Sequence, residues 1–171
     1  PGGRHVKLLD HRDGYPDGPV TFRLPQIKLR DKAELPALTS HWQNFSREAQ
    51  ALHASHPELK WLYAGTRGGN FLVFPASPMI PAEFDPRTRP WYKTTQSARR
   101  LSWITPYYTA GGNDFVLTLA QPLPAHSALP GAVVAVDVTM SDIVDNLLST
   151  PYCDQCMFYL VNSKGEVLGK R

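Results

Sequence analysis

Asp85-Pro86-Arg87-Thr88-Arg89-Pro90-Trp91-Tyr92 is the stretch from which the rest of this chain can be interpreted. Pro90 suits the first position of a helix, and residues 91–98 continue without Pro or Gly, so the pattern predicts a helix that begins here. Arg89 stands directly before it, where the free N–H groups of a helix N-terminus favour an anion. A guanidinium fork also suits a carboxylate. The stretch predicts a receptor for a small organic anion, with Trp91 and Tyr92 as walls.

A second interpretation of the same stretch is structural. Arginines are almost never fully buried unless they are paired, and Asp85 can form an ion pair with Arg87 or with Arg89 that pins a loop. Both interpretations stay open from the sequence, and the structural one has more weight for Arg87 than for Arg89.

Hydrophobic periodicity outside this stretch predicts an α+β domain. Apolar residues at helical spacing indicate a long helix over 37–56, and Thr139 with Asp142 three residues later has the form of a capping box for another helix. Strand-like runs surround a glycine turn within 59–74, and further runs occur at 101–104, 114–120, 132–138, 157–161 and 166–168. Hairpin-linked strands favour an antiparallel sheet with the helices at one side.

The composition excludes several classes of protein. The chain has 171 residues, of which 42% are hydrophobic, and its 16 prolines and 12 glycines indicate many turns. The net charge is +3, and the basic residues are dispersed along the chain. A nucleic-acid-binding surface needs a denser cluster of basic residues. No apolar run is long enough to cross a bilayer, and no signal peptide is recognised. We predict no nucleic-acid partner and expect the chain to be a fragment of a longer protein.

The two cysteines form a C-x-x-C pair, Cys153 and Cys156. Two thiols are half of a structural zinc site, and the apolar run that follows them resembles a strand rather than the helix of a redox site. We predict a local disulfide in an oxidising compartment, with two free thiols as the alternative. Since the chain has no G-x-S-x-G, H-E-x-x-H or phosphate-binding glycine loop, we predict no enzyme, no metal and no cofactor.

Four segments together resemble the membrane-distal half of a double Cache domain. They are PELKWLYAGTRGGNFLVFP (57–75), DPRTRPWYKTT (85–95), TPYY (105–108) and GAVVAVDVTMSDIV (131–144). Such domains are extracytoplasmic sensors of bacterial chemoreceptors, histidine kinases and cyclic-nucleotide signalling enzymes. The resemblance implies a PAS-like Cache module over 37–150, with an antiparallel sheet flanked by a long N-terminal helix and short helices. An extended lead-in with an edge strand, 1–36, would precede it, and the connector and first hairpin of a truncated membrane-proximal module, 151–171, would follow.

Some members of this family bind free α-amino acids, and the resemblance transfers their residue set to this chain. It implies that Arg89 and the helix N-terminus hold the ligand carboxylate, and that Asp137, at the end of the last sheet strand, holds the ammonium. Many members carry an acid at the position of Thr109, whereas the nearest acid here is Asp114, beyond a glycine turn, and this departure weakens the case for a diamine. The implied aromatic contacts are Tyr63, Trp91, Tyr92 and Tyr107.

The predicted function is therefore an extracytoplasmic sensor module, periplasmic or extracellular, of a membrane-anchored signal-transduction receptor. Its partner is a small molecule, a free α-amino acid or a related carboxylate, and binding shifts the receptor between two conformations. A homodimer is left open. Two alternatives also stay open: a Cache-type structural or interaction module without a small ligand, and a sensor of a carboxylate that is not an amino acid.

Overall fold

A six-stranded antiparallel sheet forms the centre of the protein in a computed structural model, which describes residues 26–77, 80–81, 83–112, 114–148 and 156–170. The spatial order of its strands is β1-β3-β2-β6-β5-β4. The strands are β1 (Gln26–Lys28), β2 (Trp61–Gly65), β3 (Phe71–Phe74), β4 (Ser102–Tyr108), β5 (Phe115–Pro122) and β6 (Val133–Thr139). The helices are α1 (Leu35–Ser55), α2 (Pro90–Ala98) and α3 (Met140–Leu148). The predicted α+β class is confirmed.

One strand of the sheet differs from the pattern in the sequence, and another agrees with it. β4 continues to Tyr108, beyond the predicted end at residue 104, because a register shift between Ile104 and Tyr107 admits Pro106. A proline is tolerated there since β4 is an edge strand and the register shift interrupts the ladder. At the other edge, β1 pairs with β3 and supplies the expected edge strand of the lead-in; residues 1–25 lie outside the described residues.

The two faces of the sheet are covered by different helices. Leu62 and Phe74 lie on one face and pack with Ala49 of α1. Tyr63 lies on the other face and packs with Trp91 of α2. The expectation of helices at one side is therefore wrong. Every residue of β3 is buried, and a strand that is apolar on both faces needs cover on both sides.

A buried polar network joins the start of α1 to the turn between β2 and β3. Asn70 has no exposed surface, and its Oδ1 accepts from the backbone N–H groups of Arg30 and Asp31 at 2.6 and 2.8 Å. Its Nδ2 donates to Glu34 at 2.7 Å, and Glu34 also accepts from the Gly68 N–H at 2.9 Å. These bonds fix the β2–β3 hairpin against the chain that enters α1, since each would leave a buried group unpaired if it were lost.

The C-terminal part contains the predicted helix and hairpin. Thr139 Oγ1 accepts from the Asp142 N–H at 3.1 Å, which confirms the predicted cap of α3. A separate hairpin is formed by β7 (Tyr159–Val161) and β8 (Val167–Lys170). That this hairpin opens a membrane-proximal module stays a prediction. Cys156 is disulfide-bonded, while its predicted partner Cys153 lies outside the described residues.

Candidate ligand-binding site

A pocket opens on the face of the sheet that α2 covers, and it extends to the turn between β4 and β5. α2 approaches the sheet closely because Gly65 has no side chain: a Cβ there would lie 2.6 Å from the ring of Trp91. The polar groups that line the pocket include side chains from β2, β4, β6, the start of α2 and the β4–β5 turn. Its apolar wall is formed by Trp61, Phe71, Val73, Ile80, Phe84 and Trp91.

Asp137 is the buried acid of this pocket, with 4% of its surface exposed. Tyr63 Oη donates to its Oδ1 at 2.7 Å, and Thr118 Oγ1 donates to the same oxygen at 2.5 Å. In the part of the chain that the structure describes, no donor is bonded to Oδ2. That oxygen therefore has capacity to accept from a bound ligand.

The sequence predicts that Asp137 ends a strand, but in the structure the strand continues beyond it. β6 runs on to Thr139, which pairs with Val116 of β5. Asp137 pairs with Trp61 on one side and is level with Thr118 on the other. The carboxylate of Asp137 reaches the pocket because it projects from the face of the sheet, beside Trp61 at the start of β2.

Burial controls the ionisation of the pocket groups. It raises the pKa of Asp137 to about 6, although the hydrogen bonds from Thr118 and Tyr63 and the charge of Arg89 act in the opposite direction. Burial, followed by the charge of Asp137, raises the pKa of Tyr107 to about 12 and that of Tyr63 well above its ordinary value. Both phenols therefore stay protonated at neutral pH, and Asp137 is largely ionised there.

Arg89 lies at the pocket with most of its hydrogen-bonding capacity unused. Its Nη2 donates to the Tyr108 carbonyl at 2.8 Å, and its Cζ lies 5.5 Å from the centre of the Tyr107 ring. Within the described ranges no carboxylate is paired with it. A guanidinium has five N–H donors in a fixed fork, so Arg89 is anchored and can still bind an anion.

Arg87 follows the structural interpretation instead. Its Nη2 and Nε donate to the Asp85 carboxylate at 2.7 and 2.9 Å, and the Arg87 N–H donates to the same group at 3.0 Å. Asp85 thus holds the turn that precedes α2 and pairs with Arg87, not with Arg89. The two arginines of the motif have separate roles.

The predicted aromatic contacts divide in the same way. Tyr63, Trp91 and Tyr107 line the pocket, and the rings of Tyr63 and Trp91 are 4.9 Å apart. Tyr92 is not among the residues that line this pocket, and its hydroxyl donates to the Gly131 carbonyl at 2.7 Å, so its contact with a ligand stays a prediction. The ring of Tyr92 packs against that of Trp91, with the two ring centres 5.6 Å apart.

Of the residues at the site that were not predicted from the sequence, three bear directly on its chemistry. Trp61 lines the pocket, and strand alternation offers a signal for it, since it is two residues from Tyr63 and shares its face. Thr118 supports Asp137 from the neighbouring strand, a position that depends on strand register. Asp114 lines the pocket from the turn after β4.

The chain was compared with known proteins, and no family model matches it. The methyl-accepting chemotaxis protein PctB of Pseudomonas aeruginosa is 31% identical over 106 residues, which are 62% of this chain and 16% of that protein. The solved ligand-binding domain of PctB in complex with L-Arg is similar with a TM-score of 0.60 and 27% identity, over 82% of this chain and 51% of that one. This chain has the fold of a chemoreceptor ligand-binding domain. The resemblance to the membrane-distal half of a double Cache domain is thereby confirmed.

The relatives of this chain include a protein of another kind. Adenylate cyclase 1 of Rhizobium meliloti is 32% identical over 82 residues, which are 48% of this chain and 12% of that protein. The chain spans only 16% of the length of PctB, so the comparison concerns the sensor region alone. Ligand-binding domains of membrane chemoreceptors are extracytoplasmic, in agreement with the predicted location. In the described ranges, no helix has both the length and the apolar character to cross a membrane.

Proposed function

We propose that this chain is the ligand-binding module of a sensory receptor and that it recognises a free α-amino acid. The observation that carries the proposal is the placement of Arg89 and Asp137 around one pocket. Arg89 offers unused donors for the ligand carboxylate, and Asp137 offers a free oxygen for the ammonium. Solved domains of similar fold were obtained in complex with L-Arg and with L-Gln, which supports a ligand of this class.

The burial of the pocket explains why both charges of the ligand are needed. Ion contacts are stronger in a desolvated site, and a desolvated charge without a partner is costly. An amine that lacks the carboxylate leaves Arg89 unmatched, and an acid that lacks the amine leaves Asp137 unmatched. The aromatic walls formed by Tyr63, Trp91 and Tyr107 add contact area and polar edges. The pocket should therefore select zwitterions over either half.

The role of the site is binding rather than catalysis. Its two phenols are held protonated, and its charged groups are arranged to match charges on a ligand. In the parent receptor, a ligand with different affinities for two conformations shifts their populations by that difference. The relatives are chemotaxis receptors and a cyclase, which supports signalling through a separate output region. A homodimer stays a prediction.

A thermal-shift screen followed by calorimetric titration of the 171-residue chain tests the proposal. The panel contains the twenty amino acids, each beside its decarboxylated amine and its deaminated acid. A ligand at a hundredfold excess over its Kd stabilises the native state by about 2.7 kcal/mol. Stabilisation by amino acids alone supports the zwitterion site. Stabilisation by deaminated acids as well would replace it with a carboxylate sensor, and no response to any compound would favour a module without a small ligand.

A further inference from the structure

A second carboxylate reaches the pocket through the turn between β4 and β5. In the sequence, position 109 is a threonine, and the nearest acid, Asp114, lies beyond a glycine turn. The folded turn returns Asp114 to Thr109, whose backbone N–H donates to the Asp114 carbonyl at 2.9 Å. Both residues line the pocket. The acid that is absent at position 109 is thus replaced from the other side of the turn.

The charges around the pocket are not balanced by a simple zwitterion. Among the described residues that line it, Arg89 is the one cation, whereas Asp114 and Asp137 are both acids. Asp114 is half-buried, and its carboxylate has no ion pair and no side-chain hydrogen bond in the described part of the chain. A neutral amino acid would match Arg89 and Asp137 and leave Asp114 without a partner.

Asp114 and Asp137 are too far apart to bind the same cationic group of a ligand. Asp137 is level with Thr118 across the sheet, and Asp114, which directly precedes β5, is four residues before Thr118. Four residues of extended chain span about 14 Å, so an ammonium held by Asp137 lies beyond the reach of Asp114. The side chains of Asp114 and Asp137 both reach into the pocket and cover part of this distance, and a lysine or arginine side chain can span the remainder. The geometry suits a ligand with a second cation remote from its α-ammonium.

We propose that Asp114 binds the cationic side-chain group of the ligand, and that the ligands of this pocket are therefore α-amino acids such as lysine, ornithine and arginine. This inference rests on the proposed function, since it takes the α-carboxylate to Arg89 and the α-ammonium to Asp137. The role of Asp114 narrows the ligand class from α-amino acids in general to those with a cationic side chain. The threonine at position 109 gives no sign of this role.

Calorimetric titration with L-lysine and L-norleucine tests the inference, because the two ligands differ in the terminal ammonium. The full chain should bind L-lysine on the order of 10- to 100-fold more tightly than L-norleucine, the range for one contact with a charged group. Asp114→Asn should remove that preference, because L-lysine loses the partner of its terminal ammonium. Asp145→Asn, the same change at an exposed position of α3, is the control and should alter neither affinity.

The outcomes separate the inference from the function on which it rests. Equal affinity of the unmodified chain for the two ligands, or a preference for L-norleucine, would overturn the role of Asp114 and keep the amino-acid site. Equal weakening of both ligands by Asp114→Asn would assign Asp114 to the α-ammonium. Binding of neither ligand, nor of any other amino acid, would overturn the proposed function and this inference together. The comparison of ligands on the unmodified chain holds even if a variant folds poorly.

Discussion

Tyr63 and Asp137 are joined by a buried hydrogen bond of 2.7 Å that connects the two central strands, β2 and β6. The bond favours the ionised carboxylate, but burial acts against it more strongly and leaves the pKa of Asp137 at about 6. The ligand-free pocket therefore holds a charge that its surroundings stabilise only in part. A bound ammonium supplies the missing interaction, which relates the stability of the empty protein to its affinity for ligand.

The first prediction concerns the pH dependence of binding. A protonated Asp137 cannot pair with an ammonium, so affinity should fall as the pH drops through about 6. Amino-acid affinity at pH 5 should be about tenfold weaker than at pH 7, since roughly one carboxyl in ten stays ionised one pH unit below its pKa. Calorimetric titration at both values measures this. Asp137→Asn should bind weakly and equally at both, and an unchanged affinity of the unmodified chain would exclude Asp137 as the ammonium site.

The second prediction is that Asp137→Asn makes the empty protein more stable at neutral pH. The pKa of Asp137 is raised on folding from 3.8 to about 6, so its contribution favours folding below about pH 4 and is lost as the pH rises through 6. At pH 7 the free energy of unfolding of the variant should be about 1–3 kcal/mol higher than that of the unmodified chain, because the variant avoids burying a charge. Urea unfolding at pH 7 and pH 4 tests this, and the gain should vanish at pH 4. A less stable variant at pH 7 would contradict the role of burial.

The third prediction separates the two arginines of the motif. Arg89→Ala should lower amino-acid affinity by about 2–4 kcal/mol, because the ligand carboxylate loses its charged partner in a desolvated site. Arg87→Ala is the matched control: its guanidinium is paired with Asp85, and affinity should stay within about twofold. Calorimetric titration of both variants distinguishes them. Equal losses in the two would favour a general effect of positive charge over a specific contact.

The fourth prediction tests whether Tyr63 sets the ionisation of Asp137. Tyr63→Phe removes a donor to the ionised carboxylate and should raise the pKa of Asp137 further. The midpoint of the pH dependence of binding should move upward by about 1–2 pH units, given about 1.5–3 kcal/mol for a hydrogen bond to a charged group. Tyr159→Phe, at the exposed β7 strand, should leave the midpoint unchanged. A midpoint that does not move would assign Tyr63 to packing alone.

Local signals explain why part of the site could be predicted from the sequence. The start of α2 is determined by neighbouring residues, so Arg89 and Trp91 could be placed before the fold was known. The cap of α3 at Thr139 and the glycine turn between β2 and β3 are equally local. Each of these features depends on a few consecutive residues whose preferences agree.

The remaining part depends on how distant segments meet. Thr118 supports Asp137 only because β5 and β6 adopt one register, and turn geometry together with the hydrophobic pattern fixes that register. Asp114 enters the pocket only because the β4–β5 turn brings it back to Thr109. The hydroxyl of Tyr92 bonds to the Gly131 carbonyl, a partner 39 residues away that the local pattern at the helix start does not reveal. These are tertiary relationships that no local pattern records.

The fifth prediction concerns Asn70, which supports the fold without touching the pocket. Asn70→Ala should lower the free energy of unfolding by about 2–4 kcal/mol, because it leaves the buried N–H groups of Arg30 and Asp31 and the Glu34 carboxylate without their partner. Asn162 is the control: its side chain also accepts two backbone N–H bonds, and it donates one bond where Asn70 donates two, but it lies in the surface turn between β7 and β8. Asn162→Ala should therefore cost less than about 1 kcal/mol. Urea unfolding gives both values, and calorimetric titration at a temperature where both variants are folded should show unchanged affinity. Similar losses in the two variants would mean that burial does not strengthen this network.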